Sequence, residues 1–185
     1  MAIRVTTGLG QLEGFEKDGV RIFRGVPFAK PPTGERRFRA PEKPDPWTGV
    51  RDASSYGAAA PQPPLMLAAL PGFDIGAQSE DCLFLNVYAP NGASATNRKP
   101  VMVWIHGGGF VIGAGSQSIY DATRMARRGD VVVVTINYRL GVFGFLDLGQ
   151  PERAVTNAGI LDQIAALEWV RDHIEAFGGD AGDVT

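Results

Sequence analysis

The chain has 185 residues, of which 44% are hydrophobic and 21% charged, with a net charge of −2. That composition suits one soluble globular unit with a real core, or a piece of a larger one, and offers no basic footprint for nucleic acid. No apolar run approaches the roughly 20 residues of a membrane helix, so no membrane partner is expected. Met1-Ala2-Ile3-Arg4-Val5-Thr6 lacks a basic segment followed by an apolar core, so the sequence shows no signal peptide. Cys82 is the only cysteine, which leaves no internal disulfide and suits a reducing cytoplasm; it reads as a small buried hydrophobe.

Residues 1–30 form an N-terminal hairpin region. Within 9–29, Asp18-Gly19 separates Leu12 and Phe15 from Val20, Ile22 and Phe23, which predicts two strands about a tight turn. Residues 31–80 carry Pro31-Pro32, Pro41, Pro44, Pro46, Pro61, Pro63-Pro64 and Pro71, which forbid long regular elements and predict surface loops. The main sheet and helices are expected to begin in 81–185. Leu83, Leu85 and Val87 alternate with Phe84, Asn86 and Tyr88 in a strand ending at Pro90, and a polar loop leads to a second strand over 101–105. Asp121 is placed to cap a short helix through Arg128, closed by Gly129.

Val131 to Ile136 is a continuous β-branched run, the pattern of a strand buried on both faces. Asn157 then caps a long helix with Ile160, Ile164, Leu167, Val170, Ile174 and Phe177 at helical spacing, stopped by Gly178-Gly179. His173 falls on its opposite side, as solvated surface. Val184-Thr185 reads as the first step of another strand, whose remainder would come from a C-terminal part or a second chain. Alternation of helices with doubly buried strands predicts an α/β fold with a mostly parallel sheet.

Chemistry concentrates in Trp104-Ile105-His106-Gly107-Gly108-Gly109-Phe110. Three glycines leaving a buried strand let bare backbone N–H groups face a ligand, as a main-chain oxyanion hole requires. A phosphate loop is the weaker reading, since neither the Gly-x-x-x-x-Gly-Lys spacing nor a helix start follows Gly109. Phe110-Val111-Ile112 keeps the surroundings apolar, which suits an acyl group.

His106-Gly107-Gly108-Gly109-Phe110 resembles the oxyanion loop of α/β-hydrolase esterases. Ser79 to Val87 is similar to a second signature of the type-B carboxylesterase family. Gly25-Val26-Pro27-Phe28-Ala29 with Pro31-Pro32 and Arg37-Phe38, Asn137 to Gly141 through Phe145-Leu146, and Asn157 through Asp183 match in order, so the resemblance covers nearly the whole chain. It implies the N-terminal part of an α/β-hydrolase sheet, mostly parallel and preceded by a small antiparallel hairpin region. It also implies a Gly-x-Ser-x-Gly nucleophile elbow about five residues beyond Thr185, with the acid and histidine further on. The expected activity is hydrolysis of a small carboxylic ester through an acyl-enzyme, with no metal or organic cofactor and no activity in residues 1–185 alone.

By the resemblance, Gly108 and Gly109 donate to the oxyanion, Gly107 supports the turn and Phe110 lines the pocket. Gly109 is the more replaceable donor, since alanine can stand there at negative φ. His106, ahead of the glycines, orders the loop rather than serving as base, given the residue order of this fold. The family pairs Arg139 with Asp162 and Arg37 with Glu80 as structural ion pairs. Where secreted relatives pair a cysteine with Cys82, this chain has Pro61-Gln62. The loop 62–81 offers Leu65, Met66, Leu67, Leu70 and Phe73 but no tryptophan for a quaternary ammonium. That disfavours choline esters, favours short or aryl esters and makes Leu65 and Met66 candidate pocket residues. The alternatives are a non-catalytic cholinesterase-like binding protein, an inactive esterase fragment, and a hormone-sensitive-lipase-like esterase sharing only the His-Gly-Gly-Gly motif.

Overall fold

A left-handed pair, Asp18 at φ 52° and Gly19 at φ 77°, turns the chain between its second and third strands. Two positive φ values give the turn a twist matching paired strands, and Asp-Gly tolerates both. In the computed structural model, which describes residues 2–64, 70–150 and 154–185, these strands are β2 (Gly10–Lys17) and β3 (Val20–Pro27), with Lys17 opposite Val20. The others are β1 (Ala2–Thr7), β4 (Val50–Asp52), β5 (Phe84–Pro90), β6 (Lys99–Ile105), β7 (Val132–Ile136) and β8 (Gly179–Val184). Helices α1 (Thr123–Gly129), α2 (Gly141–Phe145) and α3 (Ala158–His173) lie between them.

Among the described residues the strands form one sheet in the order β1-β2-β3-β5-β7-β6-β8, with β4 beside β2. The hairpin region is therefore continuous with the main sheet. Its antiparallel part extends through β5, which pairs antiparallel with both β3 and β7, and the parallel part is β7-β6-β8. β1, with only Ile3 and Val5 as apolar alternation, is too short a pattern to stand out in the sequence. Among its described residues the Pro-rich excursion is mostly loop, as its prolines dictate, with the three-residue β4 and a single turn at Gly34–Arg36.

All five residues of β7 are buried. Val132, Val134 and Ile136 pack with Trp169, Val170 and Phe177 on one face. Val133 meets Tyr88, Ala122 and Ala126 on the other. So α3 covers one side of the sheet and α1 the other, which is why the Val131–Ile136 run has no polar alternation. α1 passes through Gly129 and ends at Asp130 in the left-handed region, φ 53°. The side chain of Asp121 accepts the Thr123 N–H at 2.9 Å.

Three details of the C-terminal portion depart from the sequence pattern. Asn157 does precede α3, but at φ 59° and without a side-chain cap; its carbonyl takes the Ile160 and Leu161 N–H groups instead. Its value there is tolerance of a left-handed backbone. α3 buries Ala158, Gly159, Asp162, Ala166, Trp169 and Val170, whereas Ile164 and Leu167 are 48% and 41% exposed. Close approach decides this: a Cβ at Gly159 would sit 2.5 Å from the Arg139 carbonyl oxygen and 2.6 Å from the Phe145 ring. His173 consequently lies half-buried against Trp169, ring centroids 5.3 Å apart, rather than in solvent. β8 begins at Gly179, earlier than Val184, and Thr185 exchanges backbone hydrogen bonds with Val101 and Val103 of β6.

Arg139, just past β7, fastens α3. Its Nε and Nη2 donate to Asp162 at 2.8 and 2.6 Å, and its own backbone N–H adds a third bond at 3.0 Å. Asp162 is fully buried and Arg139 only 2% exposed, so either partner alone would be an uncompensated charge in the core. Burial pushes the Asp162 carboxyl up, and the Arg139 hydrogen bonds pull it back. Arg139→Ala is expected to destabilise the fold by about 3–5 kcal/mol, the usual cost of halving a buried pair. Urea unfolding midpoints of the two proteins measure this; a variant with unchanged midpoint would contradict it.

Candidate active site

The segment 106–113 leaves the C-terminal end of β6 and folds back on itself. Gly108, Gly109 and Phe110 follow one another at φ 122°, 62° and 63°, three successive residues in the region that favours glycine. The Gly108 carbonyl accepts the N–H groups of Val111 and Ile112 at 3.1 and 3.2 Å, which closes the turn. The N–H groups of Gly108 and Gly109 have no acceptor among the described residues, and both glycines are exposed. Side by side and open, they are available to an incoming anion.

The two donors differ in what they tolerate. A Cβ at Gly108 would lie 1.9 Å from the Ile112 carbonyl oxygen, so only glycine fits. Gly109 faces open space, but its φ is positive. The condition under which alanine could replace it without strain, a negative φ, is not met here, so an alanine at Gly109 has room but an unfavourable backbone. Gly107 is unobstructed; its carbonyl accepts a hydrogen bond from His106 Nδ1 at 2.9 Å.

His106 is 2% exposed and stacked on Tyr138 with ring centroids 4.5 Å apart. A carbonyl can only accept, so the bond to Gly107 fixes the proton on Nδ1. Burial holds its pKa below the ordinary value, against the smaller opposing effect of that hydrogen bond. This histidine is therefore neutral and enclosed, with Tyr138 donating its hydroxyl to the His106 carbonyl at 2.9 Å. Phe110 stands 48% exposed at the loop tip, 5.0 Å from the Phe145 ring and 6.4 Å from Tyr138. Its carbonyl accepts the Gly141 N–H at 2.8 Å, tying the tip to the start of α2. Leu65 and Met66 lie outside the described residues.

Arg37 grips Glu80 with two side-chain bonds, the Nη2–Oε1 one at 2.7 Å, and so joins the Pro-rich excursion to the approach to β5. Next to it Cys82 is fully buried, and burial pushes its thiol pKa up, which suits an inert core residue.

Several residues supporting the loop carry no obvious signature in the sequence. Asn86 accepts the Gly25 N–H at 3.0 Å and donates to the Thr135 hydroxyl at 2.9 Å; that hydroxyl donates to the Gly115 carbonyl at 2.9 Å. The Gly115 N–H then donates to Asn137 at 2.9 Å, and Asn137 to the Ala58 carbonyl at 3.0 Å. This chain of bonds, its central three buried, runs from β3 across β5 and β7 to the turn at Gly115 just past the glycines. Its signal is the presence of Asn86 and Thr135 within otherwise apolar strands, with Asn137 just past the end of β7, where a buried polar group needs a partner. Gly113 was missed as well: a Cβ there would lie 2.4 Å from His106 Nδ1.

A profile described as the Carboxylesterase family matches residues 2–185. The chain belongs to the carboxylesterase family. It is 52% identical over 182 residues to the para-nitrobenzyl esterase of Bacillus subtilis (strain 168), covering 98% of this chain and 37% of that protein. It is 45% identical over 186 residues to the phenmedipham hydrolase of Pseudarthrobacter oxydans, covering 97% and 36%. Among solved structures, a thermophilic PNB esterase superposes with a TM-score of 0.90 at 49% identity, over 98% of this chain and 37% of that one. The chain thus spans a little over a third of the length of these relatives, and its sheet is the N-terminal part of an α/β-hydrolase fold. No helix among the described residues is long and apolar enough to cross a membrane.

The buried histidine has a pH consequence. A folded-state pKa lowered below the unfolded value means that the unfolded chain binds more protons, so stability rises with pH. The contribution is full above about 6.5 and is lost progressively as the pH falls below it. His173, also lowered by burial, acts in the same direction. Melting temperature should therefore fall between pH 7.5 and 5.5, and His106→Gln should flatten that fall. An identical slope in the variant would show that His106 does not contribute.

Proposed function

We propose that this chain supplies the oxyanion hole of a serine carboxylesterase acting on small carboxylic esters, with serine, acid and histidine contributed from outside residues 1–185. The observation that carries the reading is the pair of adjacent N–H groups of the exposed Gly108 and Gly109, without an acceptor among the described residues, on a loop locked from beneath. The relatives named as esterases support it, as does the apolar flank formed by Phe110 and Phe145.

In this reading the serine oxygen attacks the ester carbonyl and loses its proton to the histidine. The carbonyl oxygen becomes an oxyanion that accepts from both glycine N–H groups. Collapse expels the alcohol, which takes the proton, and leaves an acyl-serine; water then repeats the sequence and releases the acid. Negative charge grows on that oxygen only as the tetrahedral species forms, so the donors favour it over the planar ester. Phe110 flanks the acyl or alcohol group. His106 and Tyr138, with the Arg139–Asp162 and Arg37–Glu80 pairs, hold the frame. The cytoplasm is the compartment in which a protein with a lone buried thiol would work. Residues 1–185 alone are expected to be inactive.

The test is intact mass after treatment of the complete protein with a fluorophosphonate, together with two glycine variants. One serine should gain the probe's mass. Gly108→Ala, which cannot keep the turn, should lower kcat/KM at least as much as loss of one oxyanion donor, about 10²–10³-fold. Gly109→Ala has space but an unfavourable φ costing roughly 1–2 kcal/mol, and should be hurt less. No label on the complete protein would mean a non-catalytic relative.

A further inference from the structure

The oxyanion loop is clasped by a side chain that belongs neither to it nor to the sheet. Gln62, in the Pro-rich excursion, donates from Nε2 to the Gly113 carbonyl at 2.9 Å, and its Oε1 accepts the Gly113 N–H at 2.7 Å. The second Nε2 proton goes to the Ala60 carbonyl at 3.1 Å. The Gln62 backbone N–H is itself held by Gln78 Oε1 at 3.0 Å. A primary amide carries a donor and an acceptor on one planar end, so it can pair with both backbone groups of a single residue as a neighbouring strand would.

Gly113 is where such a clasp acts on the donors. At φ 115° it lies so near the loop's start that a Cβ would stand 2.4 Å from His106 Nδ1 and 2.6 Å from the Gly107 carbonyl oxygen. The residue before it, Ile112, presents the carbonyl that abuts Gly108. Moving Gly113 would shift Ile112 against Gly108 and release His106 from Gly107. We infer that Gln62 is a positioning residue for ester hydrolysis, fixing the Gly108 and Gly109 N–H groups at the place where the oxyanion forms. This rests on the esterase reading above. Gln62 does not touch the substrate; it acts through Gly113, and preorganised donors lose their advantage when displaced by a fraction of an ångström.

The test compares Gln62→Ala and Gln62→Glu with the unaltered full-length protein. Active sites are first titrated to completion with a fluorophosphonate, so that misfolded protein is not counted. The readouts are kcat and KM for para-nitrophenyl acetate and the inhibition constant of a trifluoromethyl ketone, whose serine adduct places an oxyanion in the hole. Loosening two donors should cost less than deleting one, so kcat per titrated site should fall about tenfold with KM little changed. Ketone affinity should fall by a similar factor. Gln62→Glu keeps the volume and the acceptor for the Gly113 N–H but turns an oxygen toward two carbonyls, and should shift both readouts the same way while folding. Unchanged kcat and ketone affinity per site, with only a lower melting temperature, would overturn the assignment and leave Gln62 a structural residue. Failure of the unaltered protein to take the fluorophosphonate would instead overturn the esterase reading, and this assignment with it.

Discussion

Everything near the site follows from one conformational demand: Gly108, Gly109 and Phe110 must hold three left-handed dihedrals in succession with two N–H groups unspent. Such a segment cannot stabilise itself, because the hydrogen bonds that would normally fix it are the ones it must leave free. Its order has to be imposed by neighbours. The surrounding polar residues are best understood as the answer to that demand, since few of them could contact a substrate on the open side of the loop.

The constraints arrive from three directions. From below, His106 is pressed on Tyr138 and bonded to Gly107, while the Tyr138 hydroxyl holds the His106 carbonyl. From the sheet, the Asn86–Thr135–Gly115–Asn137 chain fixes the segment that follows the glycines. From the excursion, Gln62 clasps Gly113, and Gln117 joins the Ala114 N–H to the Phe73 carbonyl. Amide side chains predominate because each can satisfy a donor and an acceptor at once without placing a charge beneath the site. A buried ion pair is used only further off, where Arg139 and Asp162 fasten α3.

What the sequence made legible was whatever carries a period or a turn code. The β-branched run of β7 and the Asp18-Gly19 hairpin announce themselves because burial on two faces and a left-handed turn each restrict residue type. The triglycine is visible for the same reason. The exposed face of α3 misled, because hydrophobic periodicity assumes that large apolar residues face the core. Gly159 and Ala166 do so instead, and at Gly159 the helix comes close to the Arg139 carbonyl. Long-range polar pairings such as Gln62 with Gly113 have no sequence period at all. They become visible only once two residues 51 positions apart have been brought together by the fold.

The lone cysteine acquires its meaning in this setting. With Cys82 enclosed and no second cysteine in the sequence, no covalent staple closes the 62–81 loop, although Gln62 at its start clasps the glycine loop. The 31–80 excursion is held at scattered points: Asn137 on Ala58 and Gln117 on Phe73 tie it to the body of the protein, while Ala59 bridged to Gln78 and Arg37 on Glu80 tie it to itself. The neutral bonds among these are individually modest, about 1 kcal/mol net each. Together they constrain the excursion from which Gln62 reaches Gly113. Under the proposed esterase reading, the placement of the Gly108 and Gly109 donors is thus coupled to a surface loop through non-covalent contacts, where a disulfide would have fixed that loop independently.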